Sequence, residues 1–296
     1  MTVKPFIKWA GGKSQLLVDI RNNYPAELGK TINRYCEPFI GGGAVLFDIL
    51  TNYDVKEVLI NDINPELINT YISIKESPNE LISALAKIQE IFWQLDMESR
   101  KKYYYKKRER FNYLKVNGNE NTNLEKASLF IYLNKTCFNG LYRVNKKGLF
   151  NVPLGSYKKP LICDSKNLLN ISKLLQNVVI KCGDYKDTLS FIDKDTFCYI
   201  DPPYRPLTKT ASFNSYTEGA FADKEQIELG RFVDNLTEIG SKVIISNSDP
   251  KNSDSNDDFF DEIYSKYKIL RISAKRMINC KGASRGKVSE LLISSC

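Results

Sequence analysis

Four consecutive residues, Asp201, Pro202, Pro203 and Tyr204, follow directly on the apolar run FCYI. A carboxylate therefore stands where a buried strand should end. Two prolines then stiffen the backbone, and because both lack an N–H their carbonyls can face a ligand without competing local donors. An aromatic ring closes the group. Asp201 and a proline carbonyl can accept hydrogen bonds from an –NH₂, while Tyr204 stacks on the face of a flat ring. An amine conjugated to such a ring is a poor nucleophile, because its lone pair is delocalised. Acceptors aimed at its protons favour a more tetrahedral nitrogen and stabilise the positive charge that develops as it attacks. The tetrapeptide alone is equally compatible with a strand followed by a plain proline turn.

A second group has the form FxGxG, from Phe39 to Gly43, set between an apolar strand pattern and a helix pattern. Gly41 and Gly43 let the backbone approach a ligand closely. Asp62 ends the next strand pattern, about 20 residues on, where an acidic residue typically accepts both hydroxyls of a ribose. The spacing fits a nucleoside-type cofactor. No GKS or GKT closes the glycine stretch, so it is not a phosphate loop of the Walker kind. The third group is FIKWAGGK, Phe6 to Lys13. Lys13 can pair with a carboxylate and Trp9 can flank a flat or cationic group. By itself this group reads better as a helix N-terminus with a buried tryptophan.

Histidine is absent, which removes Ser-His-Asp triads, Cys-His pairs, HExxH zinc sites and imidazole bases. Chemistry here must run on carboxylates, hydroxyls, backbone groups or a reactive cofactor. The seven cysteines, Cys36, Cys137, Cys163, Cys182, Cys198, Cys280 and Cys296, are widely spaced with no CxxC. That pattern fits reduced thiols in a cytosolic protein and no metal site. The N-terminus lacks the apolar core of a signal peptide, and no run of about 18 apolar residues exists for a membrane span. The chain is expected to be cytoplasmic. The net charge of +8 points modestly toward a polyanionic partner.

These groups need elements to hold them. RYCEPF reads as a strand, with a helix from about Ala44; EVLIND is a second buried strand, and PELINTYISIKE a helix with Pro65 in its first turn. From about Ser77 to Asn134 the pattern turns helical, with the highly basic stretch Arg100–Arg110 equally readable as a solvated face. Strand patterns return in NVVIKC, DTFCYI, SKVIIS and YKILRIS, and the tail VSELLISSC reads as a final strand. The fold class is therefore α/β, a Rossmann-like sheet with an inserted, mostly helical segment. Thr208 to Phe221, rich in Thr, Ser, Asn and Gly, reads as mobile.

In this order, FIKWAGGK, the FxGxG loop, Asp62 and DPPY resemble the Dam-type (D12 class, alpha group) adenine-N6 DNA methyltransferases. ISNSD (Ile245 to Asp249) and RGKVSELL (Arg285 to Leu292) extend the resemblance over nearly the whole chain. It implies S-adenosylmethionine as cofactor, S-adenosylhomocysteine as product and no metal. It implies cofactor contacts from Trp9, Lys13, Phe39, Gly41, Gly43, Asp62 and Asp201, and less firmly from Asp184 or Tyr185. Catalysis falls to Asp201, Pro202, Pro203 and Tyr204. The family's recognition segment resembles Phe138 to Pro160, expected to contain a β-hairpin. There Phe138 can wedge into the gap left by an extruded base. Arg143 can fork onto guanine, Asn139 can meet a base edge or phosphate, and Leu141 and Pro153 can press on base edges. Lys146, Lys147, Lys158 and Lys159 can neutralise phosphates. Some members have tyrosine in place of Phe138, so stacking is kept here while a polar contact is lost.

The resemblance further implies duplex DNA as partner, GATC as site, and a companion restriction endonuclease as a possible associate. The expected division is a catalytic domain of residues 1–76 and 165–296, with a target-recognition domain of 77–164. Three other readings compete: an amino methyltransferase acting on cytosine N4 or on RNA, a DNA-binding relative without activity, and a nicotinamide-dependent Rossmann enzyme. The last leaves DPPY and FIKWAGGK idle.

Overall fold

A computed structural model describes residues 3–205, 221–275 and 287–296. The stretch Thr208–Phe221, apart from Phe221 itself, lies outside the described residues, as do Cys280 and the Arg285–Gly286 part of the tail pattern. The other six cysteines are free thiols. The chain divides into two units, one of Met1–Gly12, Gly41–Asn52 and Asp62–Gly183, the other of Lys13–Ile40, Tyr53–Asn61 and Asp184–Cys296.

The second unit holds six of the sheet's seven strands, in the order β2-β1-β4-β5-β7-β6. These are β1 (Arg34–Glu37), β2 (Glu57–Asp62, whose last residue belongs to the first unit), β4 (Thr196–Ile200), β5 (Lys242–Ser248), β6 (Lys268–Lys275) and β7 (Lys287–Ser294). The strands β1, β2, β4 and β5 run parallel, and β7 pairs antiparallel with both β5 and β6. All five residues of β4 are buried, the continuous apolar run expected of a strand covered on both faces. Parallel strands send their carboxyl ends to one edge. Because β7 runs the other way, its early residues return to that same edge: Ser248 pairs with Glu290 and Asn247 with Leu291. Helix α8 (Asp223–Glu238) buries Leu229, Phe232, Val233 and Leu236 in a core shared with Ile200, Val243, Ile245 and Leu291. A short helix α9 (Phe259–Ile263) adds Phe260 to the same core, and α1 (Leu17–Arg21) buries Ile20.

The first unit is mainly helical: α2 (Ala44–Asn52), α3 (Pro65–Glu76), α4 (Pro78–Gln94), α5 (Met97–Asn117), α6 (Asn123–Thr136) and α7 (Ser165–Leu175), with strand β3 (Val178–Cys182). Every residue from Ala127 to Asn134 is buried, so α6 is the central helix, and it packs against α3, α4 and α5. Such all-round burial needs neighbours on all sides. In contrast α4 buries one stripe, Leu81, Leu85, Ile88 and Phe92, and the basic α5 buries only Tyr104, Phe111 and Leu114. Asn64 caps α3 through Glu66 and Leu67 N–H groups, with Pro65 in the first turn. Among the described residues no helix is long and apolar enough to cross a membrane.

Candidate active site and nucleic-acid interface

In the second unit, Asp201 is the first residue beyond β4 and its side chain keeps 20% of its exposure. Lys13, only 3% exposed, places Nζ 2.8 Å from Asp201 Oδ1. The same ammonium donates to the Tyr204 hydroxyl at 2.7 Å and lies 4.8 Å from the centre of its ring. The Tyr204 hydroxyl donates onward to Glu290 Oε2 at 2.8 Å, which is itself 3.9 Å from Lys13 Nζ. Among the described residues one ammonium therefore faces two carboxylates, and the balance of these three side chains is negative. Burial pushes the Asp201 carboxyl up to about 6, with Glu290 adding to the rise and Lys13 opposing it. Burial and then the charges of Asp201 and Glu290 hold the Tyr204 phenol far above its usual range, so it stays a proton donor.

The backbone around these side chains is pinned. The Pro203 carbonyl accepts from Gln226 Nε2 at 3.0 Å. Arg205 pairs with Asp223 at 2.7 Å and Asp257 at 2.6 Å, its guanidinium 4.0 Å above the Phe259 ring. Elsewhere in this unit Phe39 stacks on Tyr185 at 5.2 Å and meets the edge of Phe221 at 5.8 Å. Tyr185 is buried among these rings and Phe232. Asp184 is the outward member of the CGDY pair, accepting the Lys186 N–H at 2.9 Å.

In the first unit, Asp62 receives the Gly41 N–H on Oδ2 at 3.1 Å and the Asn64 N–H on Oδ1 at 2.9 Å. Burial raises its pKa while these backbone donors pull it down. Gly41 has φ +46°, and a Cβ there would stand 2.8 Å from Trp9 Cδ1. The Gly41 carbonyl accepts from Tyr71 at 3.1 Å. Ile63, next to Asp62, is 75% exposed, an apolar face set beside the carboxylate. Trp9 stacks on Tyr142 at 5.8 Å. The Tyr142 hydroxyl donates to Glu66 Oε2 at 2.9 Å and accepts from Lys115 at 2.9 Å, and Lys115 also pairs with Glu66 Oε1 at 2.9 Å.

The Phe138–Pro160 segment is anchored in this unit from below. Asn112 on α5 receives the Phe150 N–H at 2.8 Å and donates to its carbonyl at 3.0 Å, a side chain acting as a strand partner. Tyr104 donates to the Val152 carbonyl at 2.9 Å. The segment turns back on itself through two isolated antiparallel bridges, Cys137 with Leu154 and Val144 with Phe150. A continuous ladder is interrupted because Asn139 sits at φ +56° and Pro153 has no N–H to give. Phe138 is 48% exposed, and its N–H reaches the Pro153 carbonyl at 2.8 Å. Asn139, Arg143, Pro153, Lys146, Lys147, Lys158 and Lys159 are exposed and Leu141 is half-buried. Arg143 Nε donates to Asn151 at 2.8 Å, and Lys159 lies 4.5 Å over Trp93.

The structure thus brings Lys13, Asp201 and Tyr204 together in one unit, and Trp9, Gly41 and Asp62 in the other. Sequence reasoning did not single out Glu290, Gln226, Ile63, Tyr142, Glu66 or Lys115. An apolar residue directly after a strand-end acid was the available signal for Ile63. The rest depend on strand register or on packing between distant segments.

Comparison with known proteins bears on both units. The profile of the family described as D12 class N6 adenine-specific DNA methyltransferase matches residues 9–278. The type II methyltransferase M.MjaIII of Methanocaldococcus jannaschii is 50% identical over 99% of this chain and 99% of its own length. The type II methyltransferase M1.LlaDCHI of Lactococcus lactis subsp. cremoris is 36% identical over 100% and 96%. The DNA adenine methylase of Escherichia coli K12 is 34% identical over 98% and 94%.

Proposed function

We propose that this chain, which belongs to the D12 class N6 adenine-specific DNA methyltransferases, takes its methyl group from S-adenosylmethionine and delivers it to the adenine of GATC. The observation that carries the reading is the Lys13–Asp201–Tyr204–Glu290 cluster at the carboxyl edge of the sheet. Its negative balance suits a cationic donor and the positive charge that grows on an attacking amine.

The residues fit a nucleoside donor. Asp62 has its carboxylate braced by two backbone donors, the preparation that a ribose diol needs, and exposed Ile63 offers a flat purine an apolar face. Gly41 and Gly43, both at positive φ, let the loop fold tightly against Trp9 and Tyr71 beside that carboxylate. When bound, the donor would supply a sulfonium methyl, an activated carbon that an amine can attack directly while the sulfur leaves as a neutral thioether with the bonding pair.

The chain's own residues do the rest. Phe138 fills the space vacated by the flipped adenine, whose extrusion costs a few kcal/mol. Asp201 and the Pro202 carbonyl accept from the N6 protons, localising the nitrogen lone pair, while Tyr204 lies against the base. Fixing the two reactants in line contributes much of the acceleration. Arg143 reads a guanine, and Lys158 and Lys159 meet phosphates. We assign target recognition to residues 77–164 and catalysis to 1–76 and 165–296. The GATC site rests on the likeness of Phe138–Pro160 to the recognition segment of GATC-specific members. Two relatives are type II methyltransferases, which supports a companion restriction endonuclease at the same site.

The test is to treat long unmodified DNA with the purified protein and its donor, then map methylated positions. Methylation of adenine throughout GATC, and nowhere else, is expected. Methylation at another motif would overturn the site assignment and leave the donor reading standing.

A further inference from the structure

Gln226 sits in the first turn of α8 with no exposed surface, and Asn247, near the end of β5, has none either. A buried amide must satisfy both its oxygen and its nitrogen, and here the directions are forced. The Ser248 backbone N–H donates to Asn247 Oδ1 at 2.9 Å, and a backbone N–H can only donate. Asn247 must therefore present its Nδ2 to Gln226, and it does so to Oε1 at 3.1 Å. That turns Gln226 Nε2 toward the Pro203 carbonyl at 3.0 Å. The polarity of the whole chain is set by one peptide group of β5.

We propose that Asn247 and Gln226 form a buried amide relay that positions the DPPY turn for methyl transfer, a claim that rests on the catalytic reading of that turn. The relay fixes the plane of the peptide between Pro203 and Tyr204, and with it the direction from which the Tyr204 ring meets the base. It also engages the Pro203 carbonyl inside the protein, so that of the two proline carbonyls the acceptor role falls to Pro202. The Arg205–Asp223 pair, at 2.7 Å, ties the start of α8 to the residue after Tyr204. Two bonds thus hold helix and turn at a fixed spacing. Gln226 and Asn247 are positioning residues and touch neither substrate.

Two substitutions test this. Gln226→Met keeps length and apolar packing but removes the donor to Pro203. Asn247→Asp keeps the acceptor for Ser248 N–H but replaces the donor with a second acceptor. Once that carboxyl is ionised, Gln226 must turn its own nitrogen toward it and its oxygen toward the Pro203 carbonyl, reversing the relay while Gln226 itself is untouched; its protonated form would still donate to Gln226, so this variant is assayed at alkaline pH, where the loss should deepen as pH rises. In each variant kcat should fall about 10²-fold, the scale of an ångström's misplacement, while Kd for S-adenosylmethionine and for DNA stays within about threefold. The double variant should be no slower than the worse single one, because a broken relay cannot break twice. Additive losses, or a kcat within about threefold of wild type in whichever variant folds, would overturn the relay and reduce both residues to packing. A wild-type protein that transfers no methyl group would instead overturn the catalytic reading beneath it.

Discussion

Acid should switch this protein off through a single carboxyl. Only the ionised Asp201 offers the amine two acceptor oxygens and a negative charge, and burial has lifted its pKa from 3.8 to about 6 against the pull of Lys13. The quantity to follow is kcat/KM for the methyl donor, which reports groups on the free enzyme. It should stand at about nine-tenths of its plateau at pH 7, about half at pH 6 and about a tenth at pH 5, the course of one proton binding near the value Asp201 carries. Once the cationic donor is bound, a positive charge beside the carboxylate lowers its pKa by about 1–3 units, so the acid limb of kcat should lie below that of kcat/KM.

Stability should run the opposite way. The folded value lies above the unfolded one, so the folded protein holds the proton more tightly. This group's contribution is fully present below about pH 4 and is lost as pH rises through about 6, a change of about 3 kcal/mol. The assay pairs initial rates with a labelled methyl donor at constant ionic strength with urea unfolding of wild type and Asp201→Asn at each pH. The variant should gain on wild type by about that amount between pH 4 and 7. A kcat/KM flat from pH 5 to 7, or a stability difference that does not change with pH, would refute the reasoning.

Other perturbations separate the remaining parts. Asp62→Ala should weaken binding of S-adenosylmethionine by about 10²- to 10⁴-fold by calorimetry, since two charge-assisted hydrogen bonds at about 1.5–3 kcal/mol each are lost; DNA affinity should be little changed. Arg143→Ala should cost about 1–3 kcal/mol of discrimination at one base pair, read as competition between matched and mismatched duplexes, whereas Lys158→Ala with Lys159→Ala should weaken all sequences alike and flatten the salt dependence. Equal losses on every sequence would make Arg143 a phosphate contact. Gly43→Ala should lower stability by about 2–4 kcal/mol in urea unfolding, because Gly43 has φ +73° and its Cβ would meet the Tyr71 hydroxyl.

What could be read from the residues was local. Asp62, Gly41 and DPPY each belong to a strand and the turn after it, so composition and spacing betray them. Apolar spacing gives the helix over ELISALAKIQEIFWQLD, but not that α6 is buried all round, since its apolar residues leave no one-sided stripe to read. Glu290 was out of reach because its place depends on β7 pairing antiparallel with β5 at Ser248; a shift of one residue would have sent its side chain to the other face. The Tyr142–Glu66–Lys115 group joins segments 27 to 76 residues apart, and no single stretch encodes it. The interrupted hairpin turned on Asn139 at φ +56° and on Pro153, and its anchor on Asn112, whose side chain stands in for a strand backbone.

The most direct measurement is the chemical identity of the product. Duplex DNA containing GATC, treated with the protein and a methyl-labelled S-adenosylmethionine, is digested to nucleosides and separated. All label should elute as N6-methyldeoxyadenosine, and Asp201→Ala, still folded, should leave none. Label in N4-methyldeoxycytidine, or undiminished transfer by that variant, would contradict the account.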